Sequence, residues 1–282
     1  MDYASYVSGI SFRFVNPDTA VEPDHWHDIR NTNLPYDEAA MKRRLRQICN
    51  IPRMSTFAIG AMINYGVTLM PDTQAFVNVG VWHGFTFLCG IIGNSGKVCL
   101  GIDNFTQFGG PREAFMKRFR NYKNRKNRFY DMDYIEYFSK VHKGPIGFYL
   151  YDGDHSYHNQ LMGLQTAQDF FADGCVVLVD DTNWLEPRSA TLDFISRSFY
   201  EYRILLDTTT CSNGHPTWWN GIMILQRTTR RRRKAANPGK ESKRMPARWP
   251  ARRPRAGHLS LDRLILAVPG LHDLCYQQPL RL

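Results

Sequence analysis

Three aspartates stand where two apolar segments of the chain end. Asp152 follows IGFYLY, and Asp180 and Asp181 follow CVVLV. Carboxylates crowded together repel one another unless a hard cation such as Mg²⁺ neutralises them. His155 lies three residues after Asp152, where a histidine could take a proton from a hydroxyl group bound to the metal. These residues predict metal-assisted proton transfer, and helix N-caps with a surface histidine are the structural alternative.

A glycine pair lies earlier in the chain, in the segment VNVGVWHGFTF. Gly80 and Gly84 fall where an apolar segment gives way to a helical pattern. Glycine permits a sharp turn and a close approach of a ligand, and the N-terminus of a helix presents free amides to an anion. Asp103 follows the next apolar segment, KVCLGI, where an acid can accept hydrogen bonds from ribose hydroxyls. A structural glycine turn and a turn-capping Asp103 are the alternatives.

The elements that must position these residues are those of an α/β protein. Four segments have the apolar composition of buried strands, at 75–81, 97–103, 146–152 and 175–181. Helical patterns separate and follow them, at about 84–93, 111–124, 157–172 and 187–199. This alternation predicts a Rossmann-like, doubly wound and mostly parallel sheet. YRILLDTT and NGIMILQ predict a closing antiparallel hairpin, and NRFYDMD predicts a weaker strand. Ligands of such sheets bind at the carboxyl ends of the strands, where the acids and glycines are expected to meet.

Charge is unevenly distributed along the 282-residue chain. Residues 227–282 hold 15 of the 36 Lys and Arg and 3 of the 26 Asp and Glu, so residues 1–226 carry a net charge of −2 despite the overall +10. We predict an N-terminal helical cap over 1–70, a Rossmann-like domain over 71–226 and a basic, disordered tail over 227–282. The tail could bind nucleic acid, or it could be a dispensable extension.

Cysteine usage and hydropathy indicate the setting of the protein. The six cysteines are scattered without a CxxC pair, which disfavours a zinc ribbon and a disulfide scaffold. The N-terminal segment lacks the features of a secretory signal, and no run of about 18 apolar residues is present to cross a membrane. We therefore expect a cytoplasmic protein that does not associate with membranes.

With these residues assembled, the chain resembles class I S-adenosylmethionine-dependent methyltransferases. The closest resemblance is to metal-dependent O-methyltransferases of the macrocin and mycinamicin sugar type, over about residues 50–226. The resemblance implies a cofactor site made of Gly80, Trp82, Gly84, Thr86, Asp103 and Asp133. Gly80, Gly84 and Thr86 match the motif that holds the methionine end of the cofactor, and Trp82 falls inside that loop. Asp103 matches the acid that binds the ribose. Asp133, or alternatively Asp131, lies where the adenine is contacted.

The same resemblance implies the catalytic group and the metal ligands. Asp152, Asp180 and Asp181 match the ligands of Mg²⁺, and His155 stands at the position of the general base. Asn78 departs from the family pattern, because many members carry an acid there. The implied activity is O-methylation of a hydroxyl group on a sugar or a small secondary metabolite.

The acceptor and the rival functions remain open in the sequence. Trp184, Trp218 and Trp219, with His215, could line an acceptor pocket or belong to the core. The rival non-enzymatic function is a cofactor-binding Rossmann-like domain whose Arg-rich tail contacts nucleic acid. A nicotinamide oxidoreductase is disfavoured because the glycine spacing is not GxGxxG.

Overall fold

The computed structural model describes residues 1–20 and 25–231. The predicted disordered tail lies, apart from residues 227–231, outside the described residues. In the part of the chain that is described, no helix has both the length and the apolar composition needed to span a bilayer.

The N-terminal region is mainly helical, as predicted, and also contains a small β-ribbon. Its helices are α1 (Tyr3–Gly9), α2 (His25–Asn31), α3 (Glu38–Leu45), a 3₁₀ turn (Arg46–Ile48) and α4 (Phe57–Leu69). Strands β1 (Ser11–Phe12) and β2 (Thr32–Asn33) pair in antiparallel orientation. Eleven of the thirteen residues of α4 are buried, because this helix is apolar on nearly all sides and packs between the sheet and the N-terminal helices.

A seven-stranded sheet forms the centre of the protein. Its strands are β3 (Ala75–Val79), β4 (Val98–Asp103), β5 (Asn127–Asp131), β6 (Ile146–Tyr151), β7 (Phe171–Asp180), β8 (Tyr200–Thr208) and β9 (Ile222–Arg231). Their order is β5-β4-β3-β6-β7-β9-β8. The first five strands are parallel, and β9 pairs in antiparallel orientation with both β7 and β8. The predicted fold is therefore confirmed, including the closing hairpin and the weaker strand β5.

Helices cover both faces of this sheet. They are α5 (Phe85–Ile91), α6 (Arg112–Tyr122), α7 (Tyr134–Lys140), α8 (Tyr157–Gln168) and α9 (Leu185–Arg197). Successive side chains of a strand point to opposite faces, so Phe148 and Leu150 of β6 join the hydrophobic core shared with α4 and α5. Tyr149 and Tyr151 join the core on the other face, with α7 and α8. Burial on both faces explains the nearly continuous apolar sequences of the central strands.

An ion-pair group ties α3 to the N-terminal ribbon. Glu38 accepts hydrogen bonds from Arg13 Nη2 at 2.7 Å, from Lys42 Nζ at 2.9 Å and from the Leu34 amide at 3.0 Å. Partial burial opposes ionisation of Glu38, but these hydrogen bonds and the nearby Lys42 charge prevail and lower its pKa to about 2. Glu38 therefore stabilises the folded chain while it is ionised.

Candidate active site

A cavity of about 320 Å³ opens where the carboxyl ends of β3, β4, β6 and β7 meet. Nine of the ten predicted site residues line it: Gly80, Trp82, Thr86, Asp103, Asp133, Asp152, His155, Asp180 and Asp181. Gly84 is outside the lining and stands immediately before α5. The parallel sheet thus brings together residues that are up to about a hundred positions apart in the sequence.

The glycine loop, residues 80–84, passes very close to the backbone that follows β6. Gly80 has φ +78°, and a Cβ atom at this position would lie 1.7 Å from the Asp152 carbonyl oxygen. Gly84 has φ +99°, and its Cβ would lie 2.8 Å from the Phe115 ring. Both the left-handed backbone and the lack of space require glycine here, so the glycine pair shapes the cavity wall.

Asp103 holds the glycine loop in place from the end of β4. Its Oδ2 accepts hydrogen bonds from the Val81 and Trp82 amides, each at 2.9 Å, and its Oδ1 accepts one from the Phe105 amide at 2.7 Å. A carboxylate offers about four lone-pair positions, and these three amides occupy three of them. Asp103 is therefore a loop anchor within the cavity, with limited remaining capacity for a ligand hydroxyl.

Asn78 stabilises the same loop from inside β3. It is fully buried, and its Nδ2 donates to the Gly80 carbonyl oxygen at 2.7 Å. An ionised acid at this position has no proton to donate to that carbonyl. Asn78, where many members of the family carry an acid, therefore supplies a hydrogen bond that supports the glycine turn.

The two alternatives for the adenine contact differ in the structure. Asp133 lines the cavity and is also the N-cap of α7, where its Oδ1 accepts from the Ile135 amide at 2.8 Å. Asp131 forms an ion pair with Arg112 at the surface and is not part of the cavity lining. Between these two acids, the geometry favours Asp133.

An acid cluster, made of the buried Asp180 and Asp181 and the partly exposed Asp152, forms the other end of the predicted site. His155 Nε2 lies 3.0 Å from Asp181 Oδ2 and 3.8 Å from Asp152 Oδ1. Asn220 Nδ2 donates to the second oxygen of Asp181 at 2.7 Å. Burial and the neighbouring carboxylates raise the pKa of Asp152 and of Asp180 well above the ordinary value. Burial also raises the pKa of Asp181, although His155 and the hydrogen bond from Asn220 oppose that shift.

The contacts of Asp180 and Asp181 show how well the acid cluster suits a metal ion. Asp180 Oδ1 is buried and has no hydrogen-bond partner among the described residues, which suits a ligand of a hard cation. Both oxygens of Asp181, by contrast, already contact Asn220 and His155. Within residues 1–20 and 25–231, no group of three or more His, Cys, Asp or Glu side chains is arranged as a metal site. The acid set therefore has the donor chemistry for Mg²⁺ without a preformed coordination shell.

Of the four residues considered for an acceptor pocket, two lie in the cavity wall and two do not. Trp184 and Trp219 line the cavity, and Trp184 packs edge-on against His155 with the ring centroids 5.5 Å apart. Trp218 is instead buried against Phe12, and the buried His215 ring contacts Thr217 and the Thr19 carbonyl oxygen. Of the two alternatives for Trp218 and His215, the structure favours core packing, because both side chains are buried in the interior.

The sequence interpretation missed several residues of the wall. Asn220 was overlooked although it directly follows the tryptophan pair, and Arg53 to Ser55 come from the N-terminal region. Phe108 was also missed; its carbonyl oxygen accepts a hydrogen bond from Trp82 Nε1 at 3.0 Å. No local motif marks these residues, because tertiary packing alone brings them to the cavity.

A family model described as a methyltransferase domain matches residues 77–182, which include the glycine loop, Asp103, His155 and the acid cluster. Residues 77–182 are therefore similar to a methyltransferase domain. The match confirms the predicted enzyme class, an S-adenosylmethionine-dependent methyltransferase.

Solved structures similar to this chain include methyltransferases. A protein from Corynebacterium glutamicum is 13% identical, with 69% of this chain and 92% of that chain covered and a TM-score of 0.49. An O-methyltransferase from Bacillus cereus in complex with S-adenosylhomocysteine is 14% identical, with coverage of 69% and 92% and a TM-score of 0.48. The O-methyltransferase TomG from Streptomyces achromogenes, in complex with S-adenosylmethionine, is 12% identical, with coverage of 67% and 88% and a TM-score of 0.46. No curated protein sequence matches this chain significantly.

Proposed function

We propose that this methyltransferase transfers a methyl group from S-adenosylmethionine to a hydroxyl group of a sugar or a small secondary metabolite, with assistance from Mg²⁺. The observation that carries the proposal is a single cavity that contains both the glycine loop and the acid cluster with its histidine. One end of this cavity suits a nucleoside cofactor, and the other suits a hydroxyl group that must lose a proton.

The cofactor end is supported by the geometry of the loop. Gly80 would let a ligand approach the backbone closely, because it has no side chain. Asp103 and Asn78 hold that backbone in position, and Thr86 and Asp133 line the same cavity. A preorganised loop lowers the entropic cost of binding, because little of it needs to be ordered when the ligand arrives. We assign the cofactor to this wall.

The reaction end is supported by the paired side chains. When bound, S-adenosylmethionine supplies an electrophilic methyl group and Mg²⁺ lowers the pKa of the acceptor hydroxyl. Asp152 and Asp180 would hold the cation, since Asp180 Oδ1 lacks a hydrogen-bond partner among the described residues. Asp181, fixed by Asn220, would orient His155 through Nε2, and Nδ1, which has no hydrogen-bond partner among the described residues, would then take up the proton. The cavity walls would also hold the acceptor oxygen in line with the methyl group.

The acceptor class is supported by the aromatic wall next to His155. Trp184 is 38% exposed and could stack against the face of a sugar ring or a planar metabolite. A cytoplasmic location stays a prediction. Binding of nucleic acid through the basic tail also stays a prediction, since most of that segment lies outside the described residues.

The proposal is tested by titrating S-adenosylhomocysteine into the full chain and then measuring methyl transfer to a panel of sugars and catechols with and without Mg²⁺. We expect binding at micromolar concentrations and turnover that requires Mg²⁺. Asp180→Asn should abolish the response to Mg²⁺ while S-adenosylhomocysteine still binds, and the exposed Asp169→Asn should behave as the wild type. Absence of binding to the folded protein would refute the proposed cofactor, and full Mg²⁺-dependent turnover by Asp180→Asn would refute the assigned metal ligand.

A further inference from the structure

Two segments of the folded chain concentrate positive charge. Residues 112–128, which contain α6 and the start of β5, hold eight Lys and Arg and one acid, Glu113. Residues 43–46, where α3 gives way to the 3₁₀ turn, add three arginines and no acid. These two segments together carry a charge of +10, and the rest of residues 1–226 carries −12. The small net charge of this part of the chain therefore results from two large opposite charges on different regions.

The two basic segments meet at the loop between α5 and β4, residues 92–97. On one side, the three arginines line a groove with Gly93, where a Cβ atom would lie 2.8 Å from the Arg44 side chain. On the other side, Lys126 Nζ donates a hydrogen bond to the Gly96 carbonyl oxygen at 2.7 Å. Gly93 and Gly96 are three positions apart, which limits the distance between their Cα atoms to about 11 Å. The two segments and this loop therefore form one continuous surface, called the basic face below.

Most charges of the basic face are not neutralised by the protein. Of its eleven basic side chains in residues 43–46 and 112–128, Arg112 alone forms an ion pair within the described part of the chain, with Asp131. Seven of the others are exposed to solvent: Arg43, Arg46, Lys117, Arg120, Lys123, Arg125 and Arg128. Exposed cations without a carboxylate partner create a positive potential that attracts anions. The basic face therefore suits a partner that carries many negative charges.

The length and the composition of the basic face favour a nucleic-acid duplex as that partner. Helix α6 has 11 residues and is therefore about 16 Å long. A duplex carries one phosphate charge per about 1.7 Å, or about ten over this length, which is comparable to the charge of +10 on the face. None of the large hydrophobic side chains that are exposed belongs to the face. It thus lacks apolar groups that insert into a membrane and exposed aromatic rings that stack on unpaired bases.

We propose that the basic face binds the phosphate backbone of a nucleic-acid duplex without regard to its sequence. This inference goes beyond the proposed function and does not depend on it. Lys and Arg would contact the phosphates, and the exposed Gln47 and Asn50, which lie in the same groove as the arginines, would add neutral hydrogen-bond donors. No basic residue of the face lines the cavity at the strand ends. The duplex is therefore assigned as a binding partner and not as the acceptor of the methyl group.

The test compares two variants of the full chain that lose the same charge. The face variant replaces three exposed cations that have no ion-pair partner among the described residues: Lys117→Gln, Arg120→Gln and Arg125→Gln. The control variant replaces three exposed cations on or next to α7 and α9, which pack on the opposite side of the sheet: Lys140→Gln, Lys143→Gln and Arg197→Gln. Fluorescence anisotropy measures the binding of a labelled DNA duplex and of a labelled RNA duplex at several salt concentrations. The basic residues of 227–282 are present in all three proteins, so their contribution is the same in each.

We expect the wild type to bind a duplex with an affinity that falls steeply as the salt concentration rises. The face variant should bind about tenfold or more weakly, and its slope of log K against log salt should be smaller by about 2–3, since each phosphate contact contributes about 0.9 to that slope. The control variant should stay within about twofold of the wild type, because salt screens charges that are far from the bound duplex. Comparison of the DNA and RNA duplexes identifies which of them supplies the phosphates.

Several results would overturn the proposal. They are the absence of duplex binding by the wild type, equal weakening by the two variants, and an unchanged affinity and slope in the face variant. Sedimentation with vesicles of phosphatidylcholine and phosphatidylserine tests the rival partner, an acidic membrane. If the face variant lost vesicle binding but kept duplex binding, the membrane would be the partner and the proposal would be wrong. Thermal unfolding and titration of S-adenosylhomocysteine should give the same values for all three proteins, which shows that the fold is intact.

Discussion

Replacing Gly80 by alanine tests the account of the glycine loop most directly. The residue has φ +78°, and an alanine Cβ would lie 1.7 Å from the Asp152 carbonyl oxygen, far inside contact distance. The left-handed backbone alone costs a non-glycine residue about 1–2 kcal/mol. Displacing the backbone that follows β6 adds a further cost of about 1–3 kcal/mol, as overpacking does elsewhere. We therefore expect Gly80→Ala to lower the free energy of unfolding by about 2–5 kcal/mol and to weaken cofactor binding.

Gly174 provides a matched control for this substitution. Its φ is +79°, nearly equal to that of Gly80, but a Cβ there would have no neighbour within 4 Å. Gly174→Ala should therefore show only the backbone cost of about 1–2 kcal/mol and should leave binding of S-adenosylhomocysteine unchanged. Urea denaturation and isothermal titration of both variants give the comparison. Equal destabilisation by the two substitutions, with cofactor binding retained in Gly80→Ala, would refute the close approach of the loop to the backbone that follows β6.

Three further substitutions test other parts of the structure. Asp103→Asn leaves one acceptor oxygen for three amides, so urea denaturation should show a loss of about 1–3 kcal/mol, and titration should show weaker binding of S-adenosylhomocysteine; unchanged values would contradict the anchor role. Asn78→Asp replaces the donor to the Gly80 carbonyl oxygen with a carboxylate, and thermal unfolding should shift to a lower temperature. The stabilisation by Glu38 is present above its ordinary pKa of 4.5 and is lost as the pH falls toward 2. Glu38→Gln should therefore be less stable than the wild type at pH 7, and this difference should shrink between pH 4.5 and pH 2 in denaturation curves.

Much of the fold follows from local patterns in the sequence. The apolar segments that became β3, β4, β6 and β7 are buried on both faces, so their composition indicated strands without knowledge of their partners. Parallel strands joined by helices place their carboxyl ends at one edge, which is why residues at the strand ends, such as Asp152 and Asp180, could be assigned to one cavity in advance.

Other site residues could not be assigned from local patterns. Trp218 and Trp219 are adjacent in the sequence, yet the first is packed in the core and the second lines the cavity. Asp103 matched a ligand-binding position, but most of its acceptor capacity serves the backbone of the glycine loop. Which of two neighbouring side chains is buried, and which partner occupies a carboxylate, depends on packing between segments distant in the sequence.

The sequence by itself determined the α/β architecture, the glycine turn and the position of the acids at the ends of the strands, because these depend on backbone conformation and on short-range hydrophobic patterns. Only the tertiary structure decided that Asn220 fixes Asp181, that His155 faces this pair, and that Arg53, which is paired with Asp28, lines the cavity. These contacts join residues 25 to 39 positions apart or elements from different layers. They form only when the helices and strands pack, since that packing brings the side chains within hydrogen-bond distance and removes water from around them.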